Sequence, residues 1–213
     1  MKTDIIFVEM IVLVWCHGGC FGGGQASYDA HLRAVIQSHG CLVHSVDFTK
    51  SYDQAIKDIN EVVTNYGLQG YRVILGGISS GGLLAHQVAN ERHLPALLIA
   101  PVLAPYTRHY APDVLTHAQR KLQLSFFGNM DVMLHAERIA LKKPNSNRCV
   151  IYGKGDCRAP EIHFSRWAAA RDKDIRLFEI SASHSQLCQN PPTDIVLSWL
   201  SDMDPYLNQV KNE

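Results

Sequence analysis

The chain has 213 residues, and its 20 Lys and Arg balance 20 Asp and Glu. With 46% hydrophobic and 19% charged residues, it has the makeup of one ordinary globular domain spanning residues 1–213. Zero formal charge excludes a dominant basic field of the kind that draws nucleic acid or an anionic membrane surface.

The opening stretch MKTDIIFVEMIVLVWCHGGC imitates a signal peptide, but Asp4 and Glu9 interrupt it and no small-x-small site ends it. It leads straight into a glycine loop. Residues 5–15 are therefore read as a buried strand, and the apolar run is too short to span a bilayer. Residues 28–38 carry apolar side chains at helical spacing and stop at Gly40. Residues 41–46 form a second strand. A helix over 52–66 puts Ile56, Ile59, Val62 and Val63 on one face, with Gly67 as its stop. Strands follow at 71–76, 96–100, 148–152 and 174–180, with helices at 80–91, 160–171 and 192–203.

Alternation of this kind predicts an α/β fold, a mainly parallel twisted sheet with helices on both faces. The strands read as continuous apolar runs, as strands covered on both sides must. Residues 104–147 break the rhythm, and two short helices forming a small lid over the carboxyl edge of the sheet suit them.

The six cysteines are Cys16, Cys20, Cys41, Cys149, Cys157 and Cys188. Their spacings match neither a small disulfide scaffold nor paired zinc knuckles, so no metal is expected. They read as reduced thiols of a cytoplasmic protein, with Cys41 and Cys149 buried in apolar runs.

The sharpest motif is Gly77-Ile78-Ser79-Ser80-Gly81, flanked by Gly76 and Gly82, between a predicted strand and a predicted helix. A sharp turn there lifts the Ser79 hydroxyl clear of the sheet at a helix N-terminus. Glycines two residues to either side leave room where side chains would collide. A second motif, His17-Gly18-Gly19, also follows a strand. The N–H groups of Gly18, Gly19 and Ser80 are the candidate oxyanion hole, and His17 is read as holding the loop by hydrogen bonds. The glycines spell neither a phosphate loop nor a dinucleotide fingerprint, so no cofactor is expected.

A serine nucleophile needs a base and an orienting acid. Asp156 lies in the loop leaving the fifth strand and His184 in the loop leaving the sixth, both at strand carboxyl ends. Asp172 and Asp174 precede the last strand, at the wrong end. His86, His93 and His135 fall in helix-like stretches, and His44 falls in a strand. Ser79, Asp156 and His184 are therefore the candidate catalytic residues.

These motifs resemble those of the α/β-hydrolase superfamily, and within it the hormone-sensitive-lipase-like esterases and small deacylases. Those proteins carry an HGGG loop and a GDSAGG elbow, where this chain has HGGCFGGG and GISSGG. Cys20 stands for the third glycine, Ile78 for an acidic residue and Ser80 for alanine. The pattern runs from about residue 10 to residue 200, without the usual leading antiparallel strands or an N-terminal cap. The resemblance implies a serine hydrolase cleaving a small acyl ester through an acyl-enzyme, with a small-molecule acyl substrate. A catalytically inactive binding fold, or a peptidase or thioesterase with the same triad, stands as the alternative. Acyl pocket walls are expected from Tyr106, Tyr110, Phe126 and Phe127, which packing within the lid would equally explain. Neither nucleic acid nor a membrane span is expected, and a homodimer is left open.

Overall fold

A computed structural model describes residues 10–19, 30–47, 51–111, 114–159, 162–163, 167 and 174–203. The expected strand residues 5–9, Cys20 with the rest of its loop, and most of the expected helix at 160–171 lie outside these.

Six strands form one sheet: β1 (Ile11–Cys16), β2 (Leu42–Val46), β3 (Arg72–Ile78), β4 (Ala96–Ile99), β5 (Arg148–Gly153) and β6 (Ile175–Ile180). Their order is β2-β1-β3-β4-β5-β6, and every neighbouring pair is parallel. The two faces can be read from β1. Val12, Val14 and Cys16 point into one apolar layer and Ile11, Leu13 and Trp15 into the other, and none is more than 2% exposed. Each such side chain contributes about 1.5–3 kcal/mol by leaving water.

One layer is closed by α1 (Ala30–Ser38) and the last helix, numbered α8 (Thr193–Met203), through Leu32, Ile36, Val196 and Trp199. The other is closed by α2 (Tyr52–Leu68) and α3 (Ser80–Arg92), with the insertion helices behind them. Three-layer packing is thus what the continuous apolar strands demanded.

Several boundaries differ from the sequence expectation. Gly67 does not stop α2, which runs on to Leu68 and is capped at Gln69. Glycine in an exposed last turn costs only about 1 kcal/mol, which the preceding turns offset. β3 continues through Gly76 and Gly77 to Ile78, because its ladder to β1 extends to Cys16↔Gly77. The insertion holds three helices rather than two: α4 (Pro105–Tyr110), α5 (His117–Phe127) and α6 (Met130–Ala140). Thr116 and Gln119 form a capping box at the start of α5. Gly128 ends that helix at φ 78°, and Asn129 caps α6 by accepting from Val132 N–H. His93 lies just beyond α3, in left-handed backbone.

Between β1 and β3 the chain changes direction across the sheet: β2 lies to one side of β1, and β3 to the other. Ligands of open parallel sheets bind at such a switch point, outside the strand carboxyl ends. The two glycine motifs leave the carboxyl ends of just these two strands. Among the described residues, no helix is long and apolar enough to cross a membrane.

Candidate active site

Ser79 connects β3 to α3 with φ 54° and ψ −120°. A non-glycine residue in this region carries roughly 1–3 kcal/mol of strain. The surroundings fix it. Ser79 N–H donates to Ile99 C=O at 2.9 Å, and Ser79 C=O accepts from Gly82 N–H at 3.1 Å and Val102 N–H at 3.0 Å.

The flanking glycines are needed for space. A Cβ on Gly77 would sit 2.4 Å from the Gly81 carbonyl oxygen, and one on Gly81 would sit 2.2 Å from that of Cys16. The first turn of α3 therefore lies directly on the end of β1. Gly81→Ala must push α3 off that strand. We expect a loss of roughly 1–3 kcal/mol, lowering Tm by about 2–4 °C per kcal/mol in a thermal melt.

The Ser79 hydroxyl lies 2.9 Å from His184 Nε2, and His184 Nδ1 lies 2.7 Å from Asp156 Oδ2. A carboxylate only accepts, so Nδ1 carries the proton. Nε2 is then an acceptor, and the Ser79 O–H donates to it. The other carboxylate oxygen, Oδ1, accepts from the N–H groups of Arg158 at 2.8 Å and Ala159 at 3.2 Å. The Asp156 side chain is 1% exposed and that of His184 is 10%. Burial by itself pushes the Asp156 carboxyl up. The hydrogen bond and charge of His184, with the two N–H groups, outweigh it and hold the pKa below the ordinary 3.8.

His184 is the first residue of a short helix, α7 (His184–Gln189), rather than a loop residue. Ser183 caps that helix and exchanges side-chain hydrogen bonds with Gln186. The Ser-x-x-Gln spacing was the available signal. The cap fixes the backbone from which the imidazole projects. The Arg158 and Ala159 N–H groups escaped the sequence reading. An aspartate accepting from N–H groups two and three residues on is a loop device with little sequence signature.

The Gly18 backbone packs on the serine turn. A Cβ there would lie 3.3 Å from Ile78 C=O and 3.4 Å from Ser79 Cβ. Gly19 follows at φ 79°, and Ser80 is the buried first residue of α3. Two of the three backbone positions expected around the serine, Gly18 and Ser80, are thus beside it. His17 is buried. Its Nδ1 donates to Gly18 C=O at 2.9 Å and its Nε2 faces Asp47 at 3.6 Å, so it braces the loop.

The alternative histidines described lie elsewhere, and Asp172 lies outside the described residues. His86 is fully buried, stacks on Trp167 and meets the buried Arg148 through Nδ1 at 3.3 Å. His44 contacts Tyr66, His135 is exposed on α6, and Asp174 precedes β6. For Phe126 and Phe127 the packing alternative holds. Phe126 and Phe127 are buried against Tyr52 in the core beneath the lid, and Tyr110 is 60% exposed. Cys41 and Cys149 are buried.

A family model described as the alpha/beta hydrolase fold matches residues 13–149, more than half of the chain. The chain belongs to this family, and its resemblance to the hormone-sensitive-lipase-like type holds. The match ends before Asp156 and His184, whose place beside Ser79 rests on the geometry above. No curated protein matched the chain.

Solved structures share the fold. An esterase from Pyrobaculum calidifontis superposes with TM-score 0.67 at 18% identity, covering 96% of this chain and 78% of its own. A thermostable esterase from Pseudomonas putida ECU1011 gives 0.65 at 21% identity, covering 88% and 70%. An acetyl ester-xyloside bifunctional hydrolase from Caldicellulosiruptor lactoaceticus gives 0.67 at 13% identity, covering 92% and 84%.

Proposed function

We propose that the protein is a serine hydrolase that cleaves small carboxylic esters through an acyl-enzyme on Ser79. The observation that carries this is the hydrogen-bonded line from Ser79 Oγ through His184 to the buried Asp156, set at a strained strand-to-helix turn. A strained, solvent-reaching serine with its own base has no packing purpose.

In this reading His184 Nε2 takes the Ser79 proton as Oγ bonds to the ester carbonyl carbon. Asp156 holds the Nδ1–H tautomer and balances the imidazolium. The carbonyl electron pair moves onto oxygen, where the N–H groups of Gly18, Gly19 and Ser80 stabilise it. Each such donor is worth roughly 3–4 kcal/mol in the transition state. The tetrahedral adduct collapses, the carbon–oxygen bond to the alcohol breaks, and His184 hands its proton to the departing oxygen. Water, deprotonated by His184, then releases the acid and restores Ser79. The esterases among the structural neighbours support this class of reaction. The test is turnover of 4-nitrophenyl esters from acetate to octanoate, compared with Ser79→Ala. Hydrolysis lost in the variant supports the reading, and no hydrolysis by the wild type contradicts it.

A further inference from the structure

Asp156 and His184 follow neighbouring strands, β5 and β6, and the two loops are stitched together before either residue is reached. The ladder between the strands ends at Gly153↔Ile180. Just beyond it, Ile180 C=O accepts from Lys154 N–H and from Ala182 N–H, each at 2.8 Å. The acid loop then closes on itself, with Asp156 N–H donating to Gly153 C=O at 3.1 Å. Asp156 therefore travels with Gly153. On the other side Ser183 caps α7 and His184 is its first residue, so His184 travels with Ala182.

Gly153 and Ala182 are in direct contact. A Cβ on Gly153 would lie 2.2 Å from the Ala182 carbonyl oxygen and 3.4 Å from Cδ1 of Leu187, a buried residue of α7. Glycine is required here for space and not for backbone freedom, since Gly153 is not among the glycines at positive φ. Gly155 is the reverse case: its φ is 71°, and a Cβ there would meet nothing within 4 Å. One glycine bends the turn, and the other lets two loops touch.

A Cβ packs no closer than about 3 Å to a backbone oxygen, so a side chain at 153 must drive the Ala182 carbonyl back. Ser181 and Ser183 are exposed, and their loop is the part free to yield. Its retreat of about 1 Å would open the 2.7 Å contact of Asp156 with His184. Through His184 it would also disturb the 2.9 Å contact with Ser79. A misplacement of that size costs roughly 100-fold in rate. We propose that Gly153 is a positioning residue, whose missing side chain sets the distance between the acid and the base of this site. This rests on the serine-hydrolase reading of the same site.

The test is Gly153→Ala, with turnover expressed per site labelled to completion by a fluorophosphonate, so that unfolded protein is not counted. We expect kcat per labelled site to fall roughly 100-fold and KM to stay within about threefold. Gly70→Ala is the control for a merely destabilised fold. Gly70 has φ 79° and open space around it, and it precedes β3, at the opposite end of the sheet. That variant should melt lower and keep kcat.

A second readout needs no turnover. The Nδ1 proton that His184 donates to Asp156 is strongly deshielded in a proton NMR spectrum, and its loss in Asp156→Asn identifies it. A lengthened bond moves it upfield in Gly153→Ala. Ala182→Gly supplies a second background, in which the carbonyl can turn aside. Adding Gly153→Ala there should cost only about tenfold in kcat, and this pair serves if Gly153→Ala alone does not fold. The proposal is overturned by a kcat within about threefold of the matching background, by an equal fall in Gly70→Ala, or by an unmoved imidazole proton. If the wild type cleaves no ester, the esterase reading fails and the proton alone decides: displaced in Gly153→Ala it keeps the positioning role, and undisplaced it removes it.

Discussion

Ser79→Ala is expected to lower kcat for 4-nitrophenyl esters by roughly 10^4- to 10^6-fold. The remaining activity would come from binding and the backbone donors alone. The loss should not reflect unfolding. Alanine keeps the Cβ, the φ of 54° and the backbone hydrogen bonds to Ile99, Gly82 and Val102. Only the hydroxyl bond to His184 disappears, a change of about 1 kcal/mol. Ser79→Gly makes the separation sharper. It is equally inactive, but it releases backbone strain of roughly 1–3 kcal/mol against a glycine entropy cost of about 0.5–1 kcal/mol. It should therefore melt no lower than Ser79→Ala. An inactive variant with undiminished Tm marks strain maintained for chemistry, whereas parallel loss of both would mark a structural serine.

Asp156→Asn is expected to reduce kcat by about 10^4-fold. The asparagine carbonyl can still accept from Arg158 and Ala159, so the loop should keep its shape. The amide nitrogen then faces His184 Nδ1 and donates to it. The imidazole proton shifts to Nε2, which can no longer accept from Ser79. The imidazolium formed during reaction also loses its counter-charge. The pH dependence follows from the depressed Asp156 pKa. Because the folded value lies below the ordinary 3.8, the carboxylate's contribution to stability is complete above that value. It is lost as pH falls through the lower folded value. The Tm gap between wild type and Asp156→Asn should therefore be constant above about pH 5 and shrink only in stronger acid. A gap that closes near neutrality would contradict the ionised, hydrogen-bonded carboxylate.

The sharp turn at Ser79 was legible in the sequence because the glycines it requires stand two residues to either side of it. Gly77 and Gly81 are excluded from bearing side chains by atoms of the same turn and of β1, and the strand before Ser79 is a plain apolar run. Sheet class was legible because Ile11–Cys16 and residues 149–152 are apolar on both faces, as both faces are covered. What escaped depends on contacts between distant residues or on short elements. α7 is a six-residue helix held by its Ser183–Gln186 cap, too short to carry a periodicity. The third insertion helix, α4, was hidden because its six residues, opening on Pro105, are too few to carry a periodicity. The fate of Phe126 and Phe127 was decided by Tyr52, more than seventy positions earlier.

The most direct test of the central claim is covalent labelling with a fluorophosphonate, followed by mass spectrometry of the intact protein and its peptides. The account predicts one adduct per chain, on the peptide containing Ser79, with loss of fluoride and no adduct in Ser79→Ala. Failure to label, or an adduct on another residue that persists in Ser79→Ala, would contradict the assignment of Ser79 as the nucleophile.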